Sequence, residues 1–405
     1  MGFRNAKTDL RTTLSWFSDN FSRPSFRVFS CFIIGFIQLG KEAHTSSMVR
    51  SFSFPFLHRS LSSFTRFLGK NIWATQEVME TALERFFKTL HIKAHSILFL
   101  ITDDTIVQKT GKKIPGCAWY KDHAQNMANV FGHQWVLSAL LYKDFLLPLW
   151  AKLYHPKGTK GCGRFGTKIT MAQRIIQGLQ LPLPCKLYVL ADSWYWAKTL
   201  ARICRKCGYH MISQLKSNAV VWIHGKGTKV TTLLAQCSHY REVSLFLYGK
   251  TKRLQVAKFI AEIKDLGKVA VVIVIEKRKK PVYLVSTNTH LPAIDVIKYY
   301  AKRWKIEQMI KDLKQRLGFG DYQVRDLHAL QRHVALSFLS YIVLILLKIL
   351  YQLKEKDDSL ILSIRRLAFQ LRKHILLENI TVRFKNMRIQ FKQNILDTYF
   401  EQLWV

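Results

Sequence analysis

Apolar residues along the chain recur first at helical and then at strand spacing, and the change divides it. An apolar run from Phe26 to Leu39 reads as a helix that Gly40 ends, and Thr45-Ser46-Ser47 can cap a following segment through Phe54. Gln76 to Leu90 carries apolar residues at 79, 82, 83, 86, 87 and 90, the stripe of a second long helix. From His95 the pattern shifts. Ile97 to Ile101 is a short continuous apolar run, suited to a strand buried on both faces. Further strands are expected at Trp135 to Leu141, Phe145 to Trp150, Leu187 to Ala191 and His210 to Leu215, the first two joined by the turn Tyr142-Lys143-Asp144. Helices are expected at Met171 to Leu179 and after Ala191 to about Cys207. Val230 to Leu234, Glu242 to Tyr248, Gln255 to Ile260, Val269 to Ile275 and Pro281 to Thr287 read as strands. Helices return at Pro292 and run to the end.

This order predicts an organisation. Residues 1–90 are helical, 91–215 form the first part of an α/β domain, 216–290 a β-rich insertion, 291–350 the second part, and 351–405 a helical tail. Three antiparallel strands followed by alternating helix and strand is the order of a ribonuclease-H-like sheet. The fold class is therefore α/β, a ribonuclease-H-like mixed sheet with an all-β insertion and helical N-terminal and C-terminal regions. Helix, glycine-containing turn and helix in the first 90 residues fit both a helix-turn-helix DNA-binding unit and a plain helical bundle.

Charge narrows the partner. The chain has 63 Lys and Arg against 26 Asp and Glu in 405 residues, a net charge of +37. Such an imbalance is costly by self-repulsion unless a polyanion is bound, and nucleic acid is the first choice. An apolar content of 49% is ample for a core. Seven scattered cysteines do not read as a disulfide framework and point to a reducing cytosol. Cys204-Arg-Lys-Cys207 lacks a second pair at zinc spacing and reads as two half-buried helix thiols. The run Ala335 to Leu347, bracketed by His333 and Lys348, spans roughly 14 residues where a bilayer needs ~20, so a buried core helix is expected and no membrane partner.

Residues 300–314 carry the most chemistry. On a helix Tyr300, Arg303, Glu307 and Lys314 fall within an arc of about 60°. Ile306, Ile310, Leu313 and Leu317 fall on a neighbouring stripe, so one face can pack while the next carries a phenol, a carboxylate and two cations. Two further acids are expected at strand ends: Asp104, closing the first strand in Thr102-Asp103-Asp104-Thr105, and Asp192, closing the fourth. Ligands gather at the C-terminal ends of strands in open α/β sheets. Three carboxylates from separate segments, with open positions for water and phosphate, suit Mg²⁺ or Mn²⁺. Two such ions about 3.5–4 Å apart can serve in-line attack on a phosphodiester. Each acid also has a plainer reading as a turn or helix cap, and either Asp103 or Asp104 could be the ligand.

The spacing Tyr-x2-Arg-x3-Glu-x6-Lys resembles the signature of the cut-and-paste DDE transposases of bacterial insertion sequences, and the resemblance covers roughly residues 90–340. In that family the first Asp is typically followed by Thr, as Asp104 is by Thr105. The second lies ahead of small, polar and aromatic residues, as in Asp192-Ser-Trp-Tyr. A β-rich stretch precedes the Glu, here within the 115 residues from 192 to 307 (307 − 192). The resemblance implies that Asp104, Asp192 and Glu307 are catalytic and bind the metals, and that Tyr300, Arg303 and Lys314 hold DNA phosphates near the element end. Lys109 and Lys112 are further candidates from the loop after the first strand. Trp304 or Trp222 could hold a flipped base, or either could be a core residue. Implied partners are double-stranded DNA, as terminal inverted repeats and target, and a second copy of the chain in the DNA complex. The rival readings are an inactive or domesticated DNA-binding derivative and a ribonuclease-H-like nuclease that only hydrolyses.

Overall fold

The computed structural model describes residues 6–50, 60–111, 113–122, 128–159, 162, 165–237, 239–355 and 363–386. Among the described residues five α-helices come first: α1 (Ala6–Ser15), α2 (Arg23–Leu39), α3 (Thr45–Arg50), α4 (Leu61–Gly69) and α5 (Thr75–Thr89). Ser22 caps α2 by accepting from the Ser25 amide, and Gly40 ends it with φ 61°. The apolar face of α2 is aromatic. Phe32 stacks on Phe67 and meets Phe64 edge-on, which locks α2 to α4. The segment expected through Phe54 lies partly outside the described residues, and its described part stops at Arg50.

The α/β part follows as β1 (Ile97–Gln108), β2 (Ala118–Asp122), β3 (Ala128–Tyr142), β4 (Phe145–Tyr154), α6 (Lys168–Gln177), β5 (Lys186–Ala191), α7 (Lys198–Lys206) and β6 (His210–Leu215). The apolar run stops at Ile101 and the expected strand closes at Asp104, but β1 continues to Gln108. Its polar half is held by β3, with register running from Phe99↔Leu141 to Gln108↔Gly132. Thr102 and Ser138 there satisfy each other across the ladder, with hydroxyl oxygens 3.0 Å apart. Asp103 and Asp104 are thus strand residues, not a strand end.

Next come β7 (Val220–Ile223), β8 (Lys226–Lys229), α8 (Val230–Gln236), β9 (Arg241–Leu247), β10 (Lys250–Ile263), β11 (Gly267–Glu276) and β12 (Val282–Ser286). Val230–Leu234, expected as a strand, lies in α8. Its buried residues Val230 and Leu233 are three apart, a helical spacing that β-branched composition hides. Nor is the β-rich stretch a separate sheet. Among the described residues one 12-stranded sheet runs β2-β3-β1-β5-β6-β12-β11-β10-β7-β8, with β4 on β3 and β9 on β10. The antiparallel pairing of β12 with β6 makes the join.

The chain ends in α9 (Ala293–Ala301), α10 (Trp304–Arg316), α11 (Leu327–Glu355) and α12 (Ile364–Asn386). α11 is long and apolar enough to cross a bilayer, but 89% of its most apolar stretch is buried inside the protein. It packs between the N-terminal helices and β4. Its buried Arg332 donates to the carbonyls of Phe67, Leu68 and Trp73, so the end of α4 and the turn beyond it are pinned to this core helix.

Candidate active site

Strand periodicity decides which acids can meet. β1 and β5 are parallel, with Ile101 opposite Leu190. Carried on two residues, the same register sets Asp103 level with Asp192, the first residue past β5, and strand alternation turns Asp104 to the other face. α9 covers the Asp103 face: the Tyr299 ring lies 4.8 Å from that of Phe99 and 5.1 Å from that of Tyr188. The expected single helix through Tyr300 and Lys314 is broken at Lys302-Arg303. There the backbone tightens to i, i+3 bonds, Arg303 N–H to Tyr300 O (3.0 Å) and Ile306 N–H to Arg303 O (3.1 Å). Ile306, Met309 and Leu313 bury the packed side of α10.

The break sets Arg303 between two acids. Its Nη1 donates to Asp103 Oδ2 at 3.0 Å and its Nη2 to Glu307 Oε1 at 2.6 Å. Asp103 is pushed up to about 7, first by burial and further by the charges of Asp192 and Asp104, against the opposing pull of Arg303. Asp192 does what its plainer reading foretells: Oδ1 accepts from the amides of Trp194 (3.0 Å) and Tyr195 (3.1 Å). Oδ2 keeps no partner among the described residues. Tyr300 lies beside Asp192; burial pushes its phenol up to about 12, and its hydroxyl reaches Gln214 Oε1 at 3.4 Å.

Asp104 belongs to a different cluster. Its Oδ2 accepts from Lys168 Nζ (2.8 Å) and Gln134 Nε2 (2.6 Å), and its Oδ1 from the Tyr195 hydroxyl (3.3 Å). Lys168 opens α6 and lies 4.8 Å from the Trp194 ring centroid. Sequence reasoning passed over Lys168, which stands in no motif, and gave Tyr195 no role within Asp192-Ser-Trp-Tyr.

The remaining candidates are spread out. Lys314 donates to Ile106 O at 2.6 Å and so ties α10 to β1. Lys109 donates to Gly320 O and Tyr322 O and lies 3.6 Å over the Tyr322 ring, bracing the loop after α10. Lys112 lies outside the described residues. Trp304 is 47% exposed at the start of α10, and its ring meets Tyr248 at 6.3 Å. Tyr248, in the β9–β10 turn, also feels the charges of Arg303 and Glu307, so the tip of the β-rich region reaches the acid cluster. Trp222 sits in β7, opposite Glu262 of β10, towards the far end of the sheet.

Asp103 in β1, Asp192 just past β5 and Glu307 on α10 thus lie on one side of the mixed sheet. The profile of the transposase DDE domain matches residues 97–343, and the chain belongs to that family. Among solved structures the chain is similar to the piggyBac transposase in its synaptic complex with hairpin DNA, at 12% identity and a TM-score of 0.46, covering 94% of this chain and 76% of that one. No curated protein matches it.

Metals are general to DDE transposases, and the donor set here fits them in kind, three carboxylates from separate segments. It does not fit them in spacing. Among the described residues no three His, Cys, Asp or Glu side chains are gathered closely enough to hold an ion. The Arg303 guanidinium stands where Asp103 and Glu307 would converge.

Proposed function

We propose that the chain cuts DNA at the ends of a bacterial insertion sequence and joins the 3′-ends to target DNA. The observation that carries this is the gathering of Asp103, Asp192, Arg303 and Glu307 on the α9–α10 side of the sheet. We take Asp103 as the strand acid in place of Asp104; the support is that Asp104 lies on the other face by strand alternation and pairs with Lys168 and Gln134. Asp103, Asp192 and Glu307 are the acids of the site, and the Mg²⁺ or Mn²⁺ general to the family, as one ion or two, would need them closer together than they stand here; bound, it would supply activation of a water or 3′-hydroxyl and charge for the leaving oxygen. Arg303 and Tyr300 position the phosphates beside the scissile bond, with Lys314 and Trp304 flanking them along α10. The helices of residues 1–90 grip the element end, the complex with DNA is a homodimer, and the protein works at the nucleoid.

The test is a nicking and joining assay on duplexes made from the DNA flanking the gene. The expected outcome is Mg²⁺-dependent nicking followed by strand-transfer products, with Glu307→Gln and Asp192→Asn losing both while gel-shift binding survives. Nicking without any joined product would make the chain a hydrolytic nuclease. Binding without nicking would make it an inactive derivative. Short inverted repeats bounded by direct duplications in the flanks would be the matching genomic result.

A further inference from the structure

A groove of about 720 Å³ opens between α4 and the loop that joins α10 to α11. Arg66 and Lys70 line it from the C-terminal end of α4, and Arg325 lines it from the loop. Thr45 and Thr65 add hydroxyls. All three cations are exposed, and among the described residues none is paired with a carboxylate. Asp326 is the acid of the lining, and its Oδ1 accepts from the Ala329 amide at 2.7 Å as a cap of α11. Three cations against one acid leave an excess of two positive charges (3 − 1). Both walls are fixed by the core. Arg332 donates to the carbonyls of Phe67 and Leu68 at the end of α4. Lys109 donates to those of Gly320 and Tyr322, and His333 to that of Gly318. A surface held in this way loses little freedom when a ligand settles on it.

β1 sets the distance from this groove to the acids. Arg303 pairs with Asp103, Lys314 donates to Ile106 O further along the strand, and Lys109 at its end holds the loop. From Asp103 to Lys109 is six residues of extended chain (109 − 103), about 20 Å. Duplex DNA covers that distance in about six base-pair steps. We propose that the groove holds the backbone of the DNA duplex, with Arg66, Lys70 and Arg325 on its phosphates about six base pairs from the bond that is cut. The inference rests on the reading above that the chain cuts DNA at element ends. It adds the place where the N-terminal helices and the α10–α11 loop grip the duplex together, one forming each wall. Contacts of this kind fix register and orientation along the duplex and read no bases.

The experiment measures binding of the full chain to the flanking duplex by fluorescence anisotropy over a series of salt concentrations. Each phosphate contact contributes roughly −0.9 to the slope of log affinity against log salt. The triple variant Arg66→Gln, Lys70→Gln, Arg325→Gln is therefore expected to flatten that slope by about 2–3. Arg325→Gln alone should flatten it by about 1, and serves if the triple variant does not fold. The control triple is Lys226→Gln, Lys229→Gln, Lys264→Gln. It removes as many exposed cations from β8 and the β10–β11 turn, none of which lines the groove. Its slope should match that of the wild type. Ethylation of single phosphates adds the position. Modification about six base pairs from the cut should weaken wild-type binding and make no difference to the groove triple. A wild-type slope in both groove variants, or an equal flattening in the control triple, overturns the groove and leaves the cutting of DNA standing. A wild type whose affinity for the duplex is flat with salt removes the DNA reading and the groove with it.

Discussion

Asp103 and Asp104 are neighbours in sequence with separate partners, because β1 turns them to opposite faces. Asp103 is paired with Arg303 and pushed up to about 7 by burial, whereas Asp104 is held by a half-buried Lys168 and by Gln134. Asp104 is thus a brace between β1, β3 and the start of α6. Breaking such a pair from one side leaves an uncompensated charge. Lys168→Met should therefore cost about 3 kcal/mol of unfolding free energy. The double variant Lys168→Met, Asp104→Asn should recover on the order of 1–2 kcal/mol of it. Denaturant unfolding of the four proteins in the cycle measures this, and strict additivity would mean the pair is not a structural brace. Spacing on one helix face singled out Arg303 and Glu307, and a place after an apolar strand singled out Asp192; all three lie on the Asp103 side of the sheet. Which of Asp103 and Asp104 shares that side was not legible, because it depends on β1 continuing as a strand through and past Asp104, where the residues turn polar. The strand is sustained there by β3, a partner that local pattern does not reveal.

At the scale of elements, the loop between α10 and α11 joins the site to the N-terminal helices. Gly318 takes φ 62°, and a Cβ there would stand 2.9 Å from Ala43 Cβ and 3.0 Å from Phe36 Cε1. Both the backbone and the space thus call for glycine. Its carbonyl accepts from His333 Nε2 at 3.0 Å, so the loop is fastened to α11 as well. Gly318→Ala should cost roughly 2 kcal/mol by strain and overpacking. Thermal unfolding checks this, and an unchanged midpoint would show that the helices do not seat on the loop as described. Most elements were readable from periodicity: α2 with its Gly40 stop, α5, the β3–β4 hairpin, β5 and β6. Two failures have clear causes. Val230-Thr-Thr-Leu-Leu has strand composition but folds as α8, with Val230 and Leu233 on its buried side. The break at Lys302-Arg303 has neither Pro nor Gly to announce it.

At the scale of the molecule, the sheet is continuous from the acids to the tip of the β-rich region, and α11 ties the helical N-terminal part to it. Two buried histidines lie in the seams, His133 against Tyr322 and His333 against Phe36. Burial lowers each to about 4. The fold holds both neutral, whereas unfolded imidazoles take up protons near 6.5. Their contribution to stability is complete above about pH 6.5 and is lost as pH falls towards 4, at up to about 1.4 kcal/mol per pH unit for each group. Asp103 acts in the opposite sense, because its raised value favours the fold at low pH and withdraws that support as pH climbs to about 7. His333→Gln isolates one histidine. Its stability deficit relative to wild type should be largest near pH 7 and shrink as pH falls from 6.5 to 4; parallel stability curves would contradict the assignment.

The central claim is that the strand acid of the site is the one on the α9–α10 face. Single-turnover nicking of the flanking duplex in Mg²⁺ by Asp103→Asn and Asp104→Asn, each folded and bound to DNA, tests it most directly. Asp103→Asn is expected to lose nicking by at least about 10³-fold, as removal of a transition-state electrostatic contact does. Asp104→Asn is expected to keep nicking within about tenfold, a rise of no more than about 1.4 kcal/mol in the barrier. Full nicking by Asp103→Asn, with none by Asp104→Asn, would contradict it.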